Sequence, residues 1–133
     1  MSYEYEKYLT TPENVKETVL KYGTAIVPSV LDPSEIENMK EGMWSYLENT
    51  TQNFERPIDR NDPKTWVEYQ KLYPKHSMLL QQYQVGHSQF VWDIRQNPKV
   101  VNIFSQIWSE KPEDLLTSFD GASFHFPPEE TNR

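Results

Sequence analysis

The sequence predicts an α+β chain: a mainly helical N-terminal region with few short strands, leading into the incomplete start of a β-rich region. Three observations predict it. Proline-opened segments with apolar residues at helical spacing recur from Pro12 to Pro98. A short β-prone run, Thr24-Ala25-Ile26-Val27, ends on Pro28. After Pro112 the character changes, and residues 113–130 form the longest strand-like stretch. One domain or fragment is expected over 1–133, helical over 1–112 with one short strand, and β from 113 to 133.

Taken in order, Thr11-Pro12-Glu13 opens a first helix, with Val15, Val19 and Leu20 on one face and Gly23 as its left-handed stop. Residues 24–28 are read as an edge strand. The next helix carries the strongest signals. Asp32 caps it, Pro33 takes the first position and Glu35 completes an acidic capping box, with Leu31 and Ile36 placed as a hydrophobic staple. Ile36, Met39, Met43, Trp44 and Leu47 form its apolar stripe, ending near Asn49. Residues 50–62 are polar and mixed in charge, a loop long enough to be functional or mobile. Asp62-Pro63 opens a helix through Trp66, Val67, Tyr69 and Leu72, stopped by Pro74. Residues 77–85 are ambiguous. Residues 87–96 read as helix. Asn97-Pro98 starts another, whose Val100, Val101, Ile103, Phe104, Ile107 and Trp108 predict substantial burial. Residues 115–126 are one bulged strand or a hairpin about Asp120-Gly121.

Composition narrows the function. The net charge is −7 and no Lys/Arg cluster stands out, so nucleic acid and anionic membranes are disfavoured partners. No run reaches the roughly 20 apolar residues of a membrane span, and the acidic, aromatic N-terminus is unlike a targeting peptide. With no cysteine, disulfides, thiolate metal sites and cysteine nucleophiles are excluded, which suits a cytoplasmic protein. A mean hydropathy of −0.81 is low for a self-sufficient domain, but aromatics make up 14% of the chain, so the core is expected to be aromatic. The four tryptophans, Trp44, Trp66, Trp92 and Trp108, are assigned to it.

Strand alternation sets Ser118 beside Asp120 on one face. A bulge at Gly121 resets the face to Ser123 and His125, unless Asp120-Gly121 is simply a turn. Ser123, His125 and Asp120 lack the glycine pattern and oxyanion-hole signature of a nucleophilic triad. His76, His87 and His125 are too widely spaced to predict a metal centre without knowing the fold.

Three segments resemble the N-terminal part of the phytanoyl-CoA dioxygenase-like family of Fe(II)/2-oxoglutarate oxygenases. Tyr22-Gly23-Thr24-Ala25-Ile26-Val27-Pro28 followed by Val30-Leu31-Asp32-Pro33-Ser34-Glu35-Ile36 looks like the family's opening helix, short strand and capped helix. Trp92-Asp93-Ile94-Arg95-Gln96-Asn97-Pro98-Lys99-Val100 looks like its helix ahead of the barrel, and 115–126 like an early strand of its double-stranded β-helix, or jelly-roll. The resemblance implies a jelly-roll begun here, Fe(II) and 2-oxoglutarate as cofactors of an intact member, and hydroxylation of a small-molecule substrate. It implies cofactor-pocket positions for Ser118, Ser123 and His125. The family's iron sits on H-x-[DE] and a distant histidine. Here His76 is followed by Ser77-Met78, His87 by Ser88-Gln89 and His125 by Phe126-Pro127. The chain is therefore expected to be a truncated N-terminal portion, with no metal ligand or catalytic residue of its own and inactive alone. The competing expectation is a non-catalytic helical interaction module.

Overall fold

The computed structural model describes residues 4–73, 79–127 and 129. It corrects the fold class. The described residues are helical and irregular, with no strand and no sheet. Their only β-pairing is two isolated bridges, Leu9 with Ile26 in parallel and Leu80 with Ala122 in antiparallel. Among the described residues no jelly-roll is begun. Among the described residues four α-helices with defined bounds run in order: α1 Val15–Tyr22, α2 Pro33–Thr51, α3 Gln89–Arg95 and α4 Pro98–Trp108. Short 3-10 turns stand between them. The chain divides into two compact, non-contiguous units, residues 1–36 with 94–117 and residues 37–93 with 118–133.

In the first unit, Thr11 provides no side-chain cap. Pro12–Asn14 forms a 3-10 turn, and α1 follows and ends on Gly23 at φ 74°. The predicted strand at 24–28 shrinks to the single bridge at Ile26, because Pro28 has no N–H to donate and Ser29 turns left-handed at φ 55°. The capping box is fully formed. The Asp32 carboxylate accepts from Glu35 N–H at 3.0 Å, and Glu35 reaches back to accept from Asp32 N–H at 2.8 Å. Asn97 caps α4 by accepting from Lys99 N–H at 2.9 Å. Its amide donates to Glu35 at 2.8 Å, while the Lys99 ammonium reaches Glu35 at 2.6 Å and Asp32 at 3.1 Å. One polar network thus joins both helix starts.

α1 packs on α4. The expected burial of α4 is not met. Of its residues only Ser105 is buried, and Phe104 and Trp108 are 51% and 66% exposed. The helix ends before the predicted Lys111-Pro112 break, on Ser109 at φ 57°, whose hydroxyl accepts from Lys16 at 2.6 Å.

The second unit holds the hydrophobic core: Leu47, Ile58, Tyr69, Leu72, Leu80, Val85 and Phe90. Met39, Met43, Trp44 and Trp66 pack against it. The stripe read along α2 therefore faces inward. Gly42 lets α2 approach Phe90, since a Cβ there would sit 2.5 Å from the Phe90 Cβ. The predicted helix after Asp62 is instead a 3-10 run, Pro63–Leu72, capped by Asp62. Trp66, Tyr69 and Leu72 recur every three residues, which stacks them on one edge of a three-fold helix. The loop at 50–62 is tied down. Arg60 grips Glu48 through two nitrogens at 2.9 and 2.8 Å, and also pairs with Glu41. The 77–85 ambiguity lies partly outside the described residues; Val85–His87 is a 3-10 turn. Among the described residues, no helix is long and apolar enough to cross a membrane.

Two outcomes follow. Leu47 is fully buried, so Leu47→Ala is expected to cost about 2–5 kcal/mol in urea unfolding. The pH dependence comes from the cap network. The Ser34 hydroxyl, the Glu35 N–H and Lys99 lower the Asp32 pKa, and Lys99, the Asp32 N–H and Asn97 lower that of Glu35. Depressed carboxylates stabilise the fold above their unfolded pKa, and that stability is lost as pH falls through the folded one. The thermal midpoint should drop as pH is lowered from about 5 toward 3. Lys99→Met should flatten that slope; an unchanged slope would show that the network does not report on folding.

Candidate functional site

The sequence-nominated residues lie on 118–127, in the second unit. The segment is extended and keeps a period of two without belonging to a sheet. Phe124 and Phe126 turn inward. Phe124 meets Tyr69 edge-on at 5.2 Å, and Phe126 lies 5.7 Å from Trp44 and 5.4 Å from Trp66. Ser123 and His125 take the opposite, exposed side, where the Ser123 hydroxyl and His125 Nε2 are 2.9 Å apart. Ser118 is exposed and makes no hydrogen bond to either among the described residues. The structure therefore joins Ser123 to His125 and leaves Ser118 apart.

Asp120-Gly121 acts locally. The Asp120 carboxylate accepts from its neighbour's N–H at 2.8 Å and from the Gln81 amide at 3.2 Å. Two glycines let the chain pass here. A Cβ on Gly86 would lie 2.7 Å from the Asp120 carbonyl oxygen, and one on Gly121 only 2.2 Å from that of Leu80. Beside this crossing, the His87 ring stacks on Phe119 at 4.6 Å and Trp92 meets Phe119 edge-on at 5.3 Å.

The tryptophans divide. Trp44 and Trp66 pack on the core and Trp92 contacts Phe119, but Trp108 points to solvent. Burial, and after it the Tyr73 hydroxyl, push the Tyr69 hydroxyl pKa well above the tyrosine range. It remains a neutral phenol at the centre of the aromatic set. His76 lies outside the described residues. Among those described, no three His, Cys, Asp or Glu side chains are placed to hold a metal ion. The described residues do not fit the iron that the resemblance implies.

Sequence reasoning missed a groove. It has a volume of about 500 Å³ and lies between α2 and residues 83–90 of the same unit. Ser45, Tyr46, Asn49 and Thr50 form one wall; Tyr83, Gln84 and His87 stand on the other. The Tyr46 hydroxyl donates to the Tyr83 carbonyl at 3.2 Å, tying the walls together. The only sequence signal was the i, i+1, i+4, i+5 spacing of Ser45, Tyr46, Asn49 and Thr50, on a face of α2 beside its apolar stripe.

No family model matches the chain, and no solved structure does. Ava biosynthesis cluster protein O of Aspergillus versicolor is 28% identical over 105 residues, covering 79% of this chain and 32% of that protein. The chain thus spans about a third of the length of the curated relative it matches.

Gly121→Ala should be poorly tolerated. The Leu80 carbonyl must move or the Leu80–Ala122 bridge must open, at an expected cost of about 1–3 kcal/mol in chemical unfolding. Near-ultraviolet dichroism should weaken with it, because Phe124 and Phe126 are held by the same segment. An intact signal with full stability would mean that the segment is not fixed by this crossing.

Proposed function

We propose that the chain is a helical N-terminal portion of a phytanoyl-CoA dioxygenase-like Fe(II)/2-oxoglutarate-dependent oxygenase. In the intact enzyme, hydroxylation of a small organic substrate would use ligands outside the described residues. The observation that carries this is the pair of capped helix starts. Asp32-Pro33-Ser34-Glu35 and Asn97-Pro98-Lys99 are the segments that bear the resemblance, and they meet in one network through Lys99 and Asn97. The extent of the relative gives further support. The matched region is 32% of that protein, so there it is part of a longer polypeptide. Its name places that protein in a biosynthesis cluster, a setting suited to a small-molecule substrate.

The 133-residue chain, titrated calorimetrically with Mn(II) in the presence of 2-oxoglutarate, should take up no metal at micromolar concentration. A polypeptide extended through the reading frame beyond Arg133 should bind both and convert 2-oxoglutarate to succinate. Metal uptake by the short chain would overturn the absence of the site. An extended frame without H-x-[DE], or without 2-oxoglutarate-dependent metal binding, would overturn the oxygenase itself.

One observation favours a second function, a non-catalytic interaction module. Phe104 and Trp108, at i and i+4 on α4, are both more than half exposed. Light scattering after size exclusion separates the two. A stable monomer with a single cooperative melt favours the self-contained module. Aggregation, or folding only with added sequence, favours the oxygenase portion.

A further inference from the structure

The groove between α2 and residues 83–90 carries chemistry of its own, independent of the oxygenase assignment. A quarter of the chain is charged, yet no Asp, Glu, Lys or Arg lines the groove. A charged ligand leaving water there would find no opposite charge to compensate it. A neutral ligand would find suitable partners. Asn49 and Gln84 are exposed residues that line the groove, and their carboxamides make no side-chain hydrogen bond to another described residue. Each offers donors and an acceptor, the pairing that hydroxyl groups require. The Tyr46 ring, which packs against Phe90 and Phe124, also lines the groove and supplies an apolar surface. The Tyr46 hydroxyl is a protonated phenol and donates to the Tyr83 carbonyl at 3.2 Å.

Two further features hold the groove in shape. Tyr83 and Gln84 are consecutive non-glycine residues in the left-handed region, at φ 54° and 56°. Strained backbone of this kind persists where the surroundings over-determine it, and it clusters at ligand clamps. His87 is fixed by stacking on Phe119. The volume, about 500 Å³, is within the range of small-molecule sites.

We propose that this groove binds a neutral, hydroxyl-rich small molecule of the mono- to disaccharide class, held by the Asn49 and Gln84 carboxamides against the Tyr46 ring. The test is a two-dimensional ¹⁵N–¹H titration of the 133-residue chain with maltose, and with glucose 6-phosphate as the charged comparison. Maltose should produce saturable shifts at Asn49, Gln84 and His87 with a Kd in the millimolar range, and glucose 6-phosphate should bind more weakly. Asn49→Ala should weaken maltose by about fivefold, the loss of one net hydrogen bond. Gln84→Gly should do the same while melting no lower than the parent, because glycine adopts the left-handed backbone without strain. The proposal fails if maltose gives no saturable shifts at these residues, or if the phosphorylated sugar binds equally well. It fails also if a normally melting Gln84→Gly protein binds maltose undiminished.

Discussion

The second unit depends on hydrogen bonds that α2 offers to chain with no sheet to join. Thr51, fully buried at the end of α2, donates to the Leu47 carbonyl at 2.8 Å and accepts the Ile58 N–H at 3.0 Å. One turn earlier, Glu48 accepts the Arg60 N–H at 3.0 Å as well as its guanidinium. Buried backbone N–H groups must be paired, and irregular chain cannot pair them regularly. Two side chains of α2 do so at the points where the 50–62 loop enters the core, and Ile58 can then be buried. The 3-10 run follows in register: Asp59 N–H donates to Thr65, and the Trp66 indole donates to the Asp59 carbonyl.

The first unit is organised by charge. Its buried side chains are few, Val15, Asn97 and Ser105 among those described. Apolar burial is therefore a small part of what orders it. Each of Asp32, Glu35 and Asn97 satisfies a helix-terminal N–H and then a second partner, so helix starts far apart in sequence share Lys99. Exposed ion pairs contribute little singly. Here the pairs are fastened to caps that the helices need in any case.

Local devices were legible in the sequence because their partners are four residues away or fewer. Gly23, Asp32-Pro33-Glu35 and Asn97-Pro98 behave as read. Several of the misreadings turn on partners distant in sequence. The alternation of Phe124 and Phe126 with Ser123 and His125 is the same whether an extended segment lies in a sheet or on helix-borne aromatic rings. Only the positions of Trp44, Trp66 and Tyr69 distinguish the two. The three-residue recurrence of Trp66, Tyr69 and Leu72 was present to be read, but over ten residues a period of 3.0 is easily taken for 3.6. On α4, spacing marks every apolar residue alike and does not show which face a neighbour covers. Of the candidate site, the Ser123–His125 pair followed from alternation. The groove did not, because its walls come from uncharged residues more than thirty positions apart.

The interleaving of the two units has a consequence during synthesis. Residues 37–93 reach the ribosome exit well before Phe124 and Phe126, with the 94–117 portion of the other unit made in between. Until the last segment emerges, Trp44, Trp66 and Tyr69 lack the Phe126 ring that packs against all three. The nascent chain therefore passes through a stage with an open aromatic cleft, which is the kind of surface that chaperones hold. A pause in translation between the codons for residues 93 and 118 would prolong that stage.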